Sequence, residues 1–85
     1  VESGGRDDAP AATGANRRAL EKELKAVERR MAKVQELTEG THHEMALHDQ
    51  SDFAGLAALL KDLKALEEET GELEERWLEL SEKLG

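Results

Sequence analysis

THHEMALHDQSD, residues 41–52, contains every histidine of the chain, His42, His43 and His48, together with Glu44, Asp49 and Asp52. Either this stretch gathers ligands or an acid–base pair, or it is where a helical chain turns back on itself. The flanking sequence decides. Upstream, apolar residues fall at Leu20, Leu24, Val27, Met31 and Val34, spaced 4, 3, 4, 3. That is the pattern of a helix burying one narrow stripe. Downstream, Leu56, Leu59, Leu63, Leu66, Thr70, Leu73, Trp77, Leu80 and Leu84 alternate 3 and 4, with Thr70 the one polar member. Glu, Lys, Leu and Ala dominate both segments, and all are good helix formers.

The two stripes are mirror images about residue 52. Folding the chain there sets Leu20 against Leu84, Leu24 against Leu80, Val27 against Trp77, Met31 against Leu73 and Val34 against Thr70. Continuing inward, Thr38 meets Leu66, Thr41 meets Leu63, Met45 meets Leu59 and His48 meets Leu56. This predicts an all-α fold, an antiparallel two-helix coiled-coil hairpin in one chain. A monomer is expected. The same register places two like-charged pairs beside the seam, Arg30 near Arg76 and Glu28 near Glu74.

Residues 1–15, VESGGRDDAPAATGA, hold the only Pro and three of the seven Gly, and show no helical stripe. They read as a flexible linker or leader. The first residue is Val, so the chain reads as a piece of something longer. Residues 16–85 are then the hairpin domain, with Asn16 able to cap its first helix. Gly40 is the weak point of the first arm, worth about 1 kcal/mol against Ala. The expected first arm spans 17–48 with a break near 40. Gly40 ends one helix, and Thr41 to Glu44 form a capping box that opens a short second one. Ser51 or Asp52 caps the second helix, expected over 52–84.

The histidines do not have the spacing of a metal centre. His42 and His43 point about 100° apart on a helix. Glu44 and His48 share a face but supply only two ligands, and zinc takes three or four. His43 and His48 miss the H-E-x-x-H spacing by one residue. Nor is a nucleophile placed beside a base and an oxyanion donor, and two thin helices offer no pocket to raise a carboxylate. The bend reading is adopted, with no catalytic residue, no metal and no cofactor expected.

Composition narrows the function. Of 85 residues, 38% are apolar and 38% charged, and only Phe53 and Trp77 are aromatic. That is too little for a layered core with a pocket, and it suits a seam of one side chain per helix per layer. There is no cysteine, hence no disulfide framework. No apolar run approaches the roughly 18 residues of a membrane span. The formal charge is −8, against attraction of the whole surface to nucleic acid.

That sum hides an asymmetry. Residues 17–34 carry Arg17, Arg18, Lys22, Lys25, Arg29, Arg30 and Lys33 against three Glu, a net +4. Residues 53–85 carry four basic residues against Asp62 and eight Glu, a net −5. Opposite charge on the two helices favours antiparallel pairing. The seven cations also form a candidate phosphate-binding strip, with Arg18, Lys22, Lys25 and Arg29 sharing much of the outward face. With no aromatic residue among them, base stacking is not expected, so binding would be weak, salt-dependent and without sequence readout.

The predicted core is Leu20, Leu24, Val27, Met31, Val34, Leu59, Leu63, Leu66, Leu73, Trp77, Leu80 and Leu84. Two of its segments carry a family resemblance. RRALEKELKAVERRMAKV (17–34), with Lys22-Glu23-Leu24 and Glu28, is followed after the bend by ELEERWLELSEKL (72–84), with Glu75-Arg76-Trp77-Leu78-Glu79-Leu80. This resembles the C-terminal coiled-coil domain of ABC-F proteins, ATPases with two ATP-binding cassettes in one chain, including the Uup type. The resemblance covers about residues 16–84. It implies an antiparallel coiled coil attached to the cassettes of a cytoplasmic ATPase that acts on ribosomes, and, in Uup-type members, a domain associated with DNA binding. It implies ribosomal RNA or DNA as partner, and no membrane. No G-x-x-x-x-G-K-[ST] loop occurs, so this piece should not itself bind or hydrolyse ATP. The alternative is a protein-interaction or spacer coiled coil with no nucleic-acid binding.

Overall fold

A computed structural model of the chain describes residues 14–85, and within them there are two helices, α1 (Gly14–Leu47) and α2 (Phe53–Leu84). They pack along their length as an antiparallel hairpin. Each is roughly 50 Å long at 1.5 Å per residue. The linker expected over 1–15 lies outside the described residues except for Gly14 and Ala15, which belong to α1.

Every position assigned to the seam is buried or half-buried, from Leu20 to Leu84. Val27, Val34, Leu63 and Leu80 form the driest part, with Val34 and Leu80 at 0% exposure. Trp77 is half-buried rather than enclosed. Two helices can cover a seam from two sides only, so a ring wider than the seam must spill onto a flank. The polar layers satisfy themselves. Thr38 and Thr70 donate to the carbonyls of Val34 and Leu66, at 2.8 and 2.9 Å.

The break expected at Gly40 is absent, and so is the short second helix: α1 runs unbroken through Gly40 to Leu47. The Thr41 hydroxyl does not open a capping box but donates 2.8 Å back to the carbonyl of Leu37. A penalty of about 1 kcal/mol at one glycine is outweighed by strong helix formers on either side and by the packing of Thr38, Thr41 and Met45 along the seam.

The reversal occupies residues 48–52 and is held by its own polar side chains. The Gln50 amide donates to the carbonyls of Met45 and His48 at 3.2 and 2.8 Å, satisfying acceptors at the end of α1. Asp49 accepts from both the backbone N–H and the hydroxyl of Ser51, at 3.0 and 2.8 Å. Of the two candidate caps for α2, Asp52 is the one used: its Oδ1 accepts from the Gly55 N–H at 3.1 Å. Its Oδ2 lies 2.8 Å from His48 Nε2, tying the end of one helix to the start of the other. A Cβ on Gly55 would fall on the His48 ring and the Asp52 carboxylate, so the close approach at this point requires glycine. At the other end Gly85 closes α2, its N–H donating to the Ser81 carbonyl at 2.8 Å.

Candidate nucleic-acid interface

With seam positions named a and d in the usual heptad, the residues flanking the seam are e on one side and g on the other. The two sides differ. On the g side, Arg30 makes a two-pronged bond to Glu69, Nε to Oε2 at 2.5 Å and Nη2 to Oε1 at 2.9 Å. Arg76 reaches Glu23 at 2.7 Å and Glu79 on its own helix at 2.8 Å. The like-charged neighbours Arg30 and Arg76 therefore each find a carboxylate on the opposite helix. Bonding to Glu69 raises the Arg30 pKa and lowers that of Glu69. Bonds to Glu79 and then Glu23 raise that of Arg76, and Glu79 is lowered in turn. On the e side, Glu28 accepts from the Trp77 indole N–H at 3.0 Å.

This pairing reduces the basic strip. All seven cations are exposed. Arg30 is committed to Glu69 across the seam. Arg17 lies 3.6 Å from Glu21, and Lys33 lies 3.3 Å from Glu36. Arg18 turns its Nε back to the Gly14 carbonyl at 3.5 Å, leaving most of its guanidinium open. Lys22, Lys25 and Arg29 have no ion pair or hydrogen bond among the described residues. Arg18, Lys22, Lys25 and Arg29 recur at 4, 3 and 4 and so lie in one row on the face of α1 turned from α2. The row extends about 16 Å along the helix.

The histidine-bearing stretch contributes its bend and little more. His42 and His43 stand exposed on α1, and only His48 engages a carboxylate, as described. Among the described residues no group of three or more His, Asp or Glu is placed to hold a metal ion. The Asp52 carboxyl is held below its ordinary pKa by the bond to His48 and then by the Gly55 N–H, and that of Asp49 by its two bonds from Ser51.

Two features escaped the sequence reading. One is the g-side pairing of Glu23 with Arg76 and Arg30 with Glu69: heptad letters put all four at g, but the folded hairpin selects these pairs over Arg30 with Arg76. The other is a set of exposed apolar side chains, Leu47 and Phe53 beside the bend and Leu60 and Leu78 along α2. Three of these carry a signal in the spacing, since Phe53, Leu60 and Leu78 fall in a second row next to the seam row of α2.

No helix among the described residues is long and apolar enough to cross a membrane. The family model for the ABC transporter C-terminal domain matches residues 16–82, from the first turn of α1 nearly to the end of α2. No curated protein and no solved structure matches the chain. The matched span covers the hairpin except for its outermost residues, and it contains the segment 17–34 and all but the last two residues of 72–84. The chain belongs to the ABC transporter C-terminal domain family, an accessory helical hairpin and not an ATP-hydrolysing cassette.

Proposed function

We propose that this hairpin is the C-terminal arm of a cytoplasmic ABC-F-type ATPase and that it rests on ribosomal RNA or DNA through the outward face of α1. The observation that carries the reading is the row Arg18, Lys22, Lys25 and Arg29, three of whose members have no partner among the described residues. Cations spent on α1–α2 pairing would stand beside the seam, as Arg30 does. These stand away from it, where they do nothing for the hairpin but repel one another. Phosphates spaced along a backbone supply the missing counter-charge. The acidic outward face of α2 limits the footprint to one side of the hairpin.

Three or four phosphate contacts give a log–log salt slope of roughly −3 on duplex DNA. An amide-resolved NMR titration with short duplex DNA and with ribosomal RNA fragments, at low and at moderate salt, tests this. Shifts are expected on residues 17–33, strongest at Lys22, Lys25 and Arg29 and fading as salt rises. Lys22→Glu with Arg29→Glu should abolish them without unfolding the hairpin. Silence at low salt would refute the reading and leave a spacer or protein-binding arm.

A further inference from the structure

The g side of the hairpin is closed by its arginine–glutamate pairs, whereas the e side is open. Between the helices on that side lies a groove of about 480 Å³. Met31, Thr38 and Thr70 form its half-buried floor, and Gln35, Glu39, Glu67 and Glu74 its exposed rim. A second depression, about 340 Å³, shares Met31 and Glu74 and extends the groove to Trp77 and Leu78. No Lys or Arg lines either one.

The apolar surface is patterned. Beside its seam row, α2 carries a second row, Phe53, Ala57, Leu60, Lys64, Glu67, Gly71, Glu74 and Leu78, spaced alternately 4 and 3. Phe53 is 78% exposed, Leu60 55% and Leu78 54%. A helix that packed on one partner only would need one row. Here the second row is apolar at its ends and carries Glu67 and Glu74 between them, which suits a partner that is itself amphipathic. Gly71 sits in the same row, between Glu67 and Glu74, with open space where a Cβ would be.

We propose that this side is a docking site for a lysine- or arginine-rich amphipathic helix, laid along α2 as the third helix of a small bundle. Its apolar face covers Met31, Leu60, Trp77 and Leu78. Its cations meet Glu39, Glu67 and Glu74, which have no ion-pair partner among the described residues. Lys64 is a member of the row and Lys61 stands beside it, both next to Leu60, so the cations of the incoming helix lie from Glu67 toward Trp77. From Leu60 to Leu78 the site is about 27 Å long, five turns of helix.

The test titrates the chain with a synthetic peptide of Lys-Leu-Leu-Lys repeats about five turns long, following Trp77 fluorescence and amide shifts. An oligolysine of equal charge is titrated in parallel. The expected result is saturable binding of the amphipathic peptide, with shifts at Met31, Thr38, Thr70 and Trp77. It should weaken at least tenfold in the Glu67→Lys, Glu74→Lys double variant, whose helicity is checked by circular dichroism. Equal binding of oligolysine would overturn the proposal, as would shifts spread over the outward Glu68, Glu75 and Glu82. It would also fall if the chain alone dimerised through Leu60 and Leu78 and the peptide failed to compete, because the occupant would then be a second copy. The basic row on α1 lies on another face, so neither result bears on the nucleic-acid reading.

Discussion

The three glycines inside the helices make a matched test of the hairpin, because alanine should act oppositely at them. At Gly40 and Gly71 nothing lies within 4 Å of an added Cβ. Both are exposed helix-interior positions, where alanine is worth roughly 0.5–1 kcal/mol over glycine. Each substitution should therefore stabilise the hairpin by about that amount, raising the melting temperature by several degrees in a domain of this size. At Gly55 the same methyl group falls on the His48 ring and the Asp52 carboxylate. The ring or the carboxylate must then move, giving up the His48–Asp52 bond and part of the Asp52 cap at about 1–2 kcal/mol, which exceeds the helix-propensity gain and leaves a net loss of up to about 1 kcal/mol. Thermal unfolding followed at 222 nm, with all three single variants in one buffer, reads the order directly. The reasoning is refuted if Gly55→Ala stabilises like the others. It is also refuted if Gly40→Ala destabilises, since that would mean α1 ends at Gly40 in a left-handed cap.

Trp77→Ala should cost about 2 kcal/mol, below the 3–5 kcal/mol of an enclosed ring, because the indole is only half-buried; a loss at the top of that range in denaturant titration would mean the ring is enclosed in solution. Arg30→Glu and Glu69→Arg should each lower the melting temperature by placing like charges together, and the double swap should recover most of it; a double variant no better than the worse single one removes the g-side pairing from the account. The Asp52 carboxyl has its pKa lowered in the fold, so its charge stabilises above the ordinary carboxylate range, and that stabilisation is lost as pH falls through the range toward the folded-state value. The melting temperature of the native chain should thus exceed that of Asp52→Asn near neutrality, with the gap closing below about pH 4; a gap independent of pH would assign Asp52 a hydrogen-bonding role only.

The hairpin is legible in the sequence because its signal is long-range and redundant: two stripes run in mirror order, and a fold at residue 52 puts the bend in the polar stretch between them. The register then accounts for the cross-helix bonds, which fall between g positions and beside Val27 and Trp77. Gly40 misleads because its penalty is local, and a local cost is settled by packing that no short window contains. The bend is half legible. An Asp cap followed by Gly at the third helical position is readable, but Gln50 reaching back to two carbonyls depends on the path of the turn. Of the basic strip, Arg17 with Glu21 and Lys33 with Glu36 are neutralised at helical spacings already visible in the sequence. The loss of Arg30 to Glu69 needs the partner helix. The open e-side groove was missed for a related reason, since a charge count of α2 as a whole hides that Glu67 and Glu74 flank a floor of Met31 and Trp77.

The bend, with its Gln50, Asp49 and Asp52 bonds, stands about 50 Å from the end where α1 starts and α2 stops. The rod between is held along its whole length by the seam, and in the half away from the bend also by the two g-side ion pairs. Such an object transmits rotation rather than absorbing it: a tilt of 10° at the open end carries the bend through about 9 Å of arc on a radius of about 50 Å. Small angular changes at that end thus become displacements of molecular size at Phe53 and Leu47.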